Sequence, residues 1–145
     1  MKVSSEAIDL IKTFEGFYAV PYRCPAGYWT VGYGHVLAPH EPRETISRDK
    51  AQALLRRDVR HAELSLGALV QVPLRQGQFD ALVSFIFNLG SGAFERSALR
   101  RVVNRGEHDA VPEQLARWVY AGGRKMLGLQ RRRAAEAALY KAATS

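Results

Sequence analysis

The stretch FEGFYAVPYRCPAGYWTVGYGH, Phe14–His35, marks a change from helical to extended patterning in this 145-residue chain. Before it, from Val3 to Phe14, apolar residues recur every three or four positions, which predicts a helix that Gly16 ends. Within it, aromatic and β-branched residues are separated by proline and glycine, and CPAG is typical of a turn between two short strands. We therefore expect a small β-hairpin or three-stranded sheet over about residues 17–36.

The rest of the chain favours helices. Ser47 is a candidate N-cap for a helix over about residues 48–65. Beyond Pro73, the sequence from Phe79 to Leu89 is nearly continuously apolar, which indicates a buried helix. Three further helices are expected, over about residues 95–105, 112–120 and 130–143.

These elements predict an α+β fold that is mostly α, in one domain covering residues 1–145. We expect a small β lobe over about residues 17–46, the linking helix over about 48–65, and a larger helical lobe. The helical lobe takes about residues 72–145 together with the first helix. Clefts between lobes are where substrates usually bind, so we expect the site there.

Composition and charge narrow the functional classes. Hydrophobic residues make up 47% of the chain, so it can bury a core and is not disordered. A net charge of +7 predicts an anionic partner: nucleic acid, a membrane surface or an acidic cell envelope. Cys24 is the single cysteine, which excludes an internal disulfide, and the scattered histidines offer no cluster for a metal. We expect no metal and no cofactor.

The first sixteen residues bear on localisation. Asp9 and Lys12 interrupt the apolar residues there, which is typical of neither a signal peptide nor a membrane span. We therefore expect synthesis in the cytoplasm, no signal peptide and no stable membrane anchor.

Glu15 is a candidate general acid. It lies in the last turn of the first predicted helix, where the helix dipole disfavours negative charge. Phe14 and Phe17 flank it and can exclude water, which also disfavours the ionised carboxylate. The alternative is an ordinary surface glutamate at a helix end.

The turn and second strand contain three further candidates. Cys24 is a small core residue, a metal ligand or a reactive thiol, and its neighbour Arg23 favours the thiolate. The hydroxyl of Thr30 can hold a water molecule, although a threonine in a strand often reflects β-propensity alone. For His35 we favour a core histidine that is hydrogen-bonded to the backbone over a catalytic role.

Taken together, these residues resemble the phage-type lysozyme, or endolysin, family. The family is marked by a helix-terminal Glu, eight residues, an Asp or Cys, five residues and a Thr, which here are Glu15, Cys24 and Thr30. Three further segments match its motifs across nearly the whole chain: W-T-x-G-x-G-H at Trp29–His35, F-N-x-G at Phe87–Gly90 followed by Ser97, and G-L-x-x-R-R-x-x-E at Gly128–Glu136.

The resemblance implies a lysozyme-like fold and a glycoside hydrolase that cleaves the β-1,4 bond between N-acetylmuramic acid and N-acetylglucosamine in peptidoglycan. Glu15 would protonate the glycosidic oxygen, Cys24 would take the position of the second catalytic group, and Thr30 would orient water. The residues that would line the cleft are Gly34, Val36, Phe87, Asn88 and Ser97. A further sugar contact of the family falls near Pro112, which lacks an amide side chain.

The resemblance also implies a side-chain contact of Glu15 and the binding partners of the protein. Arg131 or Arg132 would approach Glu15, and would favour its ionised form. The partners would be peptidoglycan strands and the anionic cell envelope, with no nucleic acid, and we expect a monomer. The enzyme would act on the host cell wall after release by a separate protein, and would cause lysis.

Position 24 departs from the better-known members, which have aspartate there. A thiol has a reference pKa of about 8.5, so it is a weak base near neutral pH but a strong nucleophile as the thiolate. Cys24 is therefore a nucleophile, a base for water, or a bystander that shapes the site. Because one carboxylate is missing, carboxylate spacing cannot predict inversion or retention.

Two other functions fit part of the sequence. A lytic transglycosylase needs the acid but no partner that activates water, so Cys24 and Thr30 argue against it. A basic helical protein that binds nucleic acid fits the charge, but the chain has no helix-turn-helix signature and no aromatic RNA-binding motif.

Overall fold

The computed structural model describes residues 1–142, with two lobes joined by a long helix. The strands are β1 Tyr18–Arg23, β2 Trp29–Gly32, β3 His35–Val36, β4 Tyr120–Ala121 and β5 Arg124–Lys125. The α-helices are α1 Ser5–Glu15, α2 Arg48–Leu69, α3 Gln76–Leu89, α4 Ser91–Glu95, α5 Ala98–Asn104, α6 Val111–Leu115 and α7 Leu127–Ala142, and a 3-10 turn covers His108–Ala110. The predicted α+β, mostly helical fold is confirmed; the predicted helix end at Ala143 lies outside the described residues.

The small sheet has the order β1-β2-β3 and is antiparallel throughout. Tyr22 pairs with Thr30, and Thr30 pairs in turn with Val36. The register shifts between Tyr18 and Tyr22, and such irregularities bend a strand and redirect its side chains. The predicted sheet is therefore confirmed, and it sets Thr30 between two partner strands.

Capping residues fix the ends of the first two helices. The Ser4 hydroxyl accepts a hydrogen bond from the backbone N–H of Ala7, and Gly16 ends α1 with φ 73°. Ser47 caps α2 in the same way, by accepting from the N–H of Lys50. The helix α2 runs to Leu69, beyond the expected end near residue 65, because the apolar face continues through the buried Leu66 and no proline intervenes.

The region after α3 differs from the prediction. The helix expected over about residues 95–105 begins only at Ala98, because the hydroxyl of Ser97 caps it by accepting from the N–H of Arg100 at 3.0 Å, and the separate short helix α4 precedes it. The helix expected over 112–120 ends at Leu115 and is followed by the β4–β5 hairpin. Gly122 and Gly123 form its turn with φ 58° and 77°, which side chains rarely adopt.

The core lies in the helical lobe. Helix α3 is buried on most of its surface and contacts α1, α2, α4 and α7, as its continuous apolar sequence predicts. Helix α7 packs along it, and begins at Leu127, three residues before the expected start. This packing brings α7, late in the chain, against the end of α1 that contains Glu15.

Candidate active site

Glu15 is the last residue of α1, and its carboxylate meets an arginine from the opposite end of the chain. Nη1 of Arg132 donates to Oε2 of Glu15 at 2.7 Å. The Glu15 side chain is 20% exposed and that of Arg132 is 4% exposed, so the arginine is buried behind an acid that solvent can reach. Of the two arginines expected to approach Glu15, Arg132 makes the contact, and Arg131 lies exposed on α7.

Gly34 forms the other side of the Glu15 pocket. It has φ 74°, and a Cβ added to it would lie 2.5 Å from Oε1 of Glu15. Only glycine fits at such a backbone conformation with a carboxylate in contact. The turn between β2 and β3 is thereby held against the general-acid candidate.

Cys24 lies at the start of the hairpin turn between β1 and β2, partly exposed. The turn is closed by the N–H of Gly27, which donates to the Cys24 carbonyl at 2.8 Å. Hydrogen bonding to the Tyr28 backbone is the largest factor that lowers the pKa of the thiol, and the Thr30 side chain contributes in the same direction. The turn therefore favours the thiolate at Cys24 more than the surroundings of an ordinary cysteine do.

Thr30 is 4% exposed and lies one residue into β2. Its hydroxyl donates to the carbonyl of Tyr28 at 3.2 Å. Because a hydroxyl has one proton, donation to a Cys24 thiolate would replace this bond and leave the oxygen's lone pairs free. Thr30 therefore lies near Cys24, while the Tyr28 carbonyl takes its proton.

The sequence did not single out Tyr22, which belongs to the same site. Burial is the first cause of the raised pKa of its phenol, followed by the charges of Tyr18, Glu15 and Cys24. Tyr22 thus lies close enough to Glu15 and Cys24 for the charges of both to affect the pKa of its phenol. Its position opposite Thr30 and two residues before Cys24 places all three on one face of the sheet.

A groove of about 260 Å³ runs between the β lobe and the helical lobe. It brings together the predicted substrate residues Gly34, Val36 and Phe87. Its remaining lining residues are His35, Asp58, His61, Ala62, Ser65, Ile86 and Ser91. Gly34 belongs to this groove and also lies against Glu15, so the acid is adjacent to the groove wall.

The other two predicted substrate residues lie differently. Asn88, next to Phe87, accepts a hydrogen bond at its Oδ1 from Arg133 of α7. The Ser97 hydroxyl donates to the carbonyl of Phe94 at 2.7 Å, and lies in a separate surface pocket that Trp118 also lines. The structure thus separates Ser97 from the groove that contains Gly34.

His35 is buried as expected, but the expected backbone partner is wrong. Its Nδ1 lies 2.7 Å from Oδ2 of Asp58, and its Nε2 lies 2.9 Å from Oε2 of Glu41. The hydrogen bond to Asp58 is the main cause of the raised pKa of His35. The same histidine helps lower the pKa of Glu41, after the backbone N–H of Ala38.

Two buried arginines share one buried carboxylate behind the site. Oε2 of Glu136 accepts from the hydroxyl of Ser84 at 2.6 Å and lies 3.5 Å from Nε of Arg132. Its Oε1 lies 3.2 Å from Nε of Arg133. Burial lowers the pKa of Arg133 to about 10, so it stays charged near neutral pH, and burial raises the pKa of Glu136.

Two kinds of feature are absent from residues 1–142. No group of three or more histidine, cysteine, aspartate or glutamate side chains there could hold a metal ion. No helix in that range is long and apolar enough to cross a membrane.

The chain is similar to curated phage endolysins. It is 38% identical over 146 residues to the endolysin of Bacillus phage PZA, covering 99% of this chain and 57% of that protein. It is 38% identical over 149 residues to the endolysin of Acyrthosiphon pisum secondary endosymbiont phage 1, covering 99% of this chain and all (100%) of that one. The chain therefore spans little more than half of the first relative.

A solved structure and a family profile agree with these relatives. The muramidase domain of SpmX from Asticaccaulis excentricus superposes with a TM-score of 0.86 at 37% identity, covering 96% of this chain and 97% of that one. The sequence profile described as Phage lysozyme matches residues 12–136, which include Glu15, Cys24, Thr30 and Arg132. The chain belongs to the phage lysozyme family.

Proposed function

We propose that this protein is a muramidase that hydrolyses the β-1,4 bond between N-acetylmuramic acid and N-acetylglucosamine in bacterial peptidoglycan. One observation carries the proposal: the solvent-accessible carboxylate of Glu15 touches the backbone of Gly34, which also lines the groove between the lobes. A glycan strand in that groove would bring a glycosidic oxygen to the acid. Family membership supports the same reaction class.

Glu15 is the general acid in this proposal. It gives its proton to the glycosidic oxygen as the bond to the anomeric carbon breaks, and water supplies the hydroxyl that the anomeric carbon gains. Arg132 donates to the Glu15 carboxylate at the end of α1. Arg132 also holds the carboxylate in one orientation, which fixes where the proton is delivered.

Cys24 and Thr30 act on the opposite side of the scissile bond in this proposal. The thiolate has two alternative tasks. As a base it takes a proton from the attacking water. As a nucleophile it bonds to the anomeric carbon as the glycosidic bond breaks, and water then displaces the thiolate. The Thr30 hydroxyl orients the water in the first case and stabilises the thiolate in the second. The anomeric configuration of the first product distinguishes inversion, expected for a base, from retention, expected for a nucleophile.

The substrate residues proposed are Gly34, Val36 and Phe87 in the groove, Asn88 next to Phe87, and Ser97 in its separate surface pocket. Peptidoglycan strands are the partner, and the net charge of +7 favours association with an anionic envelope. We propose a monomer that requires no metal or cofactor and does not bind nucleic acid. It would be made in the host cytoplasm and would reach the wall after release by a separate protein.

A lysis assay with matched variants tests this proposal. Turbidity of outer-membrane-permeabilised cells should fall with the wild type and hardly at all with Glu15→Gln, which keeps the shape but supplies no proton. Glu6→Gln is the control, because Glu6 is an exposed acid on the same helix. Near-wild-type lysis by folded Glu15→Gln would refute the assignment.

Product analysis separates the proposed hydrolase from a transglycosylase. New reducing ends should appear in step with the loss of turbidity. Products that end in 1,6-anhydro sugars would instead identify a transglycosylase.

A further inference from the structure

The side of α3 that faces α7 makes two parallel polar contacts. Ser84 and Asn88 are one helical turn apart on α3, so they lie on the same face. Opposite them on α7, Arg132 approaches the hydroxyl of Ser84 at 3.4 Å, and Arg133 donates to Asn88. One contact continues to the general acid Glu15, and the other ends at Asn88, next to Phe87 of the groove wall.

Arg133 is held in place from several sides. It is 2% exposed, its guanidinium lies 5.1 Å from the centre of the Phe85 ring, and Glu136 neutralises its charge. Glu136 is fully buried (0% exposed) and also pairs with Arg132, so one carboxylate fixes both arginines. A guanidinium fixed in this way is a rigid donor rather than a mobile surface charge.

The chemistry of this contact settles the orientation of the Asn88 amide. A guanidinium has only donors, so the atom of Asn88 that faces Arg133 must be the carbonyl oxygen. The NH2 group of the planar amide then points away from α7. Within residues 1–142, this NH2 group has no protein acceptor.

We propose that Arg133 is a positioning residue that turns the Asn88 amide so that its NH2 group donates to an acceptor oxygen of the bound glycan. The proposal rests on the proposed function, since it names a contact of that same site. Arg133 itself does not touch substrate. Without it, the amide could rotate and present either its oxygen or its NH2 group.

Two Asn88 variants distinguish hydrogen-bond donation by the Asn88 NH2 group from acceptance by its oxygen. Asn88→Ala removes both groups, whereas Asn88→Asp keeps an oxygen for Arg133 but loses the NH2 donor. Each should raise KM by about tenfold with little change in kcat, the pattern expected when ground-state binding is lost. Asn88→Asp should also unfold at the wild-type temperature or above, because its carboxylate pairs with a buried guanidinium.

The control is Gln71→Glu, which makes the same amide-to-carboxylate change at an exposed position outside the groove. It should leave KM unchanged. If Asn88→Asp binds as the wild type does, Asn88 accepts rather than donates and the inference is wrong. It is also wrong if both Asn88 variants have wild-type KM.

Arg133 is tested by substitution and by spectroscopy. Arg133→Met should raise KM, and should add nothing in the Asn88→Ala background, whereas Arg133→Lys keeps a donor and should restore much of the binding. If Arg133→Met does not fold, ¹⁵N relaxation of the wild-type Asn88 side chain still decides: the amide should be as ordered as the backbone. A freely moving amide, or an additive effect of Arg133→Met, would overturn the positioning role.

Failure of the proposed function can be distinguished from failure of the role proposed for Asn88 and Arg133. If the wild type neither binds nor cleaves peptidoglycan fragments, the proposed function fails. If it binds and cleaves them but the Asn88 variants behave as the wild type, only the role of Asn88 and Arg133 fails.

Discussion

The backbone of Gly34 lies so close to the carboxylate of Glu15 that a Cβ at position 34 would come within 2.5 Å of Oε1. The two residues come from different elements, the end of α1 and the turn between β2 and β3. Their contact joins the helical lobe to the β lobe at the proposed catalytic position. The absence of a side chain at Gly34 therefore determines which way the Glu15 carboxylate can point.

Gly34→Ala should reduce activity far more than stability alone explains. The Cβ must displace the carboxylate, and a shift of about 1 Å in a catalytic group can cost about 100-fold in rate. The positive φ adds roughly 1–2 kcal/mol of destabilisation. Initial rates of wall lysis and urea unfolding of the same preparation measure the two effects.

Gly106→Ala is the matched control for the glycine. Gly106 has φ 73°, nearly the same as Gly34, but nothing lies within 4 Å of its Cβ position. It should show a similar loss of stability with wild-type turnover. Equal activity losses in the two variants would mean that backbone strain, not the contact with Glu15, is responsible.

Substitutions at Cys24 should show whether the thiol takes part in chemistry. Cys24→Ala should lose about 100-fold or more in turnover with little change in stability, since the side chain lies in a partly exposed turn. Cys24→Asp should keep much of the activity because a carboxylate is ionised near neutral pH, and Cys24→Ser should behave like Ala. Turnover close to wild type in Cys24→Ala would show that the thiol is a bystander.

The Cys24 assignment also predicts a pH dependence. The pKa of the thiol is lowered from its ordinary value, chiefly by hydrogen bonding to the Tyr28 backbone, so the thiolate forms at lower pH than in a free cysteine. The alkaline-side rise in activity should therefore come at lower pH than the ionisation of a free cysteine, and should be absent in Cys24→Asp. The measurement is kcat/KM against pH for both proteins.

The His35 cluster should make stability depend on pH in a defined window. The pKa of His35 is raised above its ordinary 6.5, so its contribution is complete below that value and is lost as the pH rises through the folded-state pKa. The pKa of Glu41 is lowered from 4.5, so its contribution is lost only as the pH falls through its folded-state value.

Asp58→Asn should accordingly cost about 1.5–3 kcal/mol in unfolding free energy at about pH 5.5, where the imidazolium is charged. The difference from the wild type should shrink towards about pH 8.5 as the histidine loses its proton. Urea unfolding of both proteins at the two pH values provides the comparison. A difference that does not change with pH would mean that Asp58 does not raise the pKa of His35.

Glu136→Gln should be among the most destabilising single changes. It leaves Arg132 and Arg133 buried side by side without the carboxylate between them, and breaking a buried ion pair costs about 3–5 kcal/mol. Glu107→Gln is the control, since it breaks the exposed pair with Arg105, and its unfolding midpoint should match the wild type. Similar midpoints for the two variants would show that the buried charges are dispensable.

Local sequence determined the elements that hold the catalytic candidates. Capping by Ser4 and Gly16 fixes the helix that ends at Glu15, and Pro25 and Gly27 fix the turn between β1 and β2. These signals act between residues a few positions apart, so one sequence suffices to find them. The spacing of Glu15, Cys24 and Thr30 then points to the family, and the match of the family profile confirms it.

Local signals did not fix the helix boundaries in the second half of the chain. The hydroxyl of Ser97 starts α5 at Ala98, and α6 ends at Leu115, short of the expected residue 120, before the β4–β5 hairpin. These boundaries depend on the packing of the neighbouring helices.

Tertiary structure alone decided the partners of the charged groups. Nothing in the sequence distinguishes Arg132 from Arg131 as the partner of Glu15, or shows that His35 meets Asp58 and not the backbone. Arg132 lies 117 positions along the chain from Glu15, and packing of α7 on α3 removes it from water while Arg131 stays outside. A buried charge requires a counter-charge. The packing of the helices, rather than any local motif, therefore selects each partner.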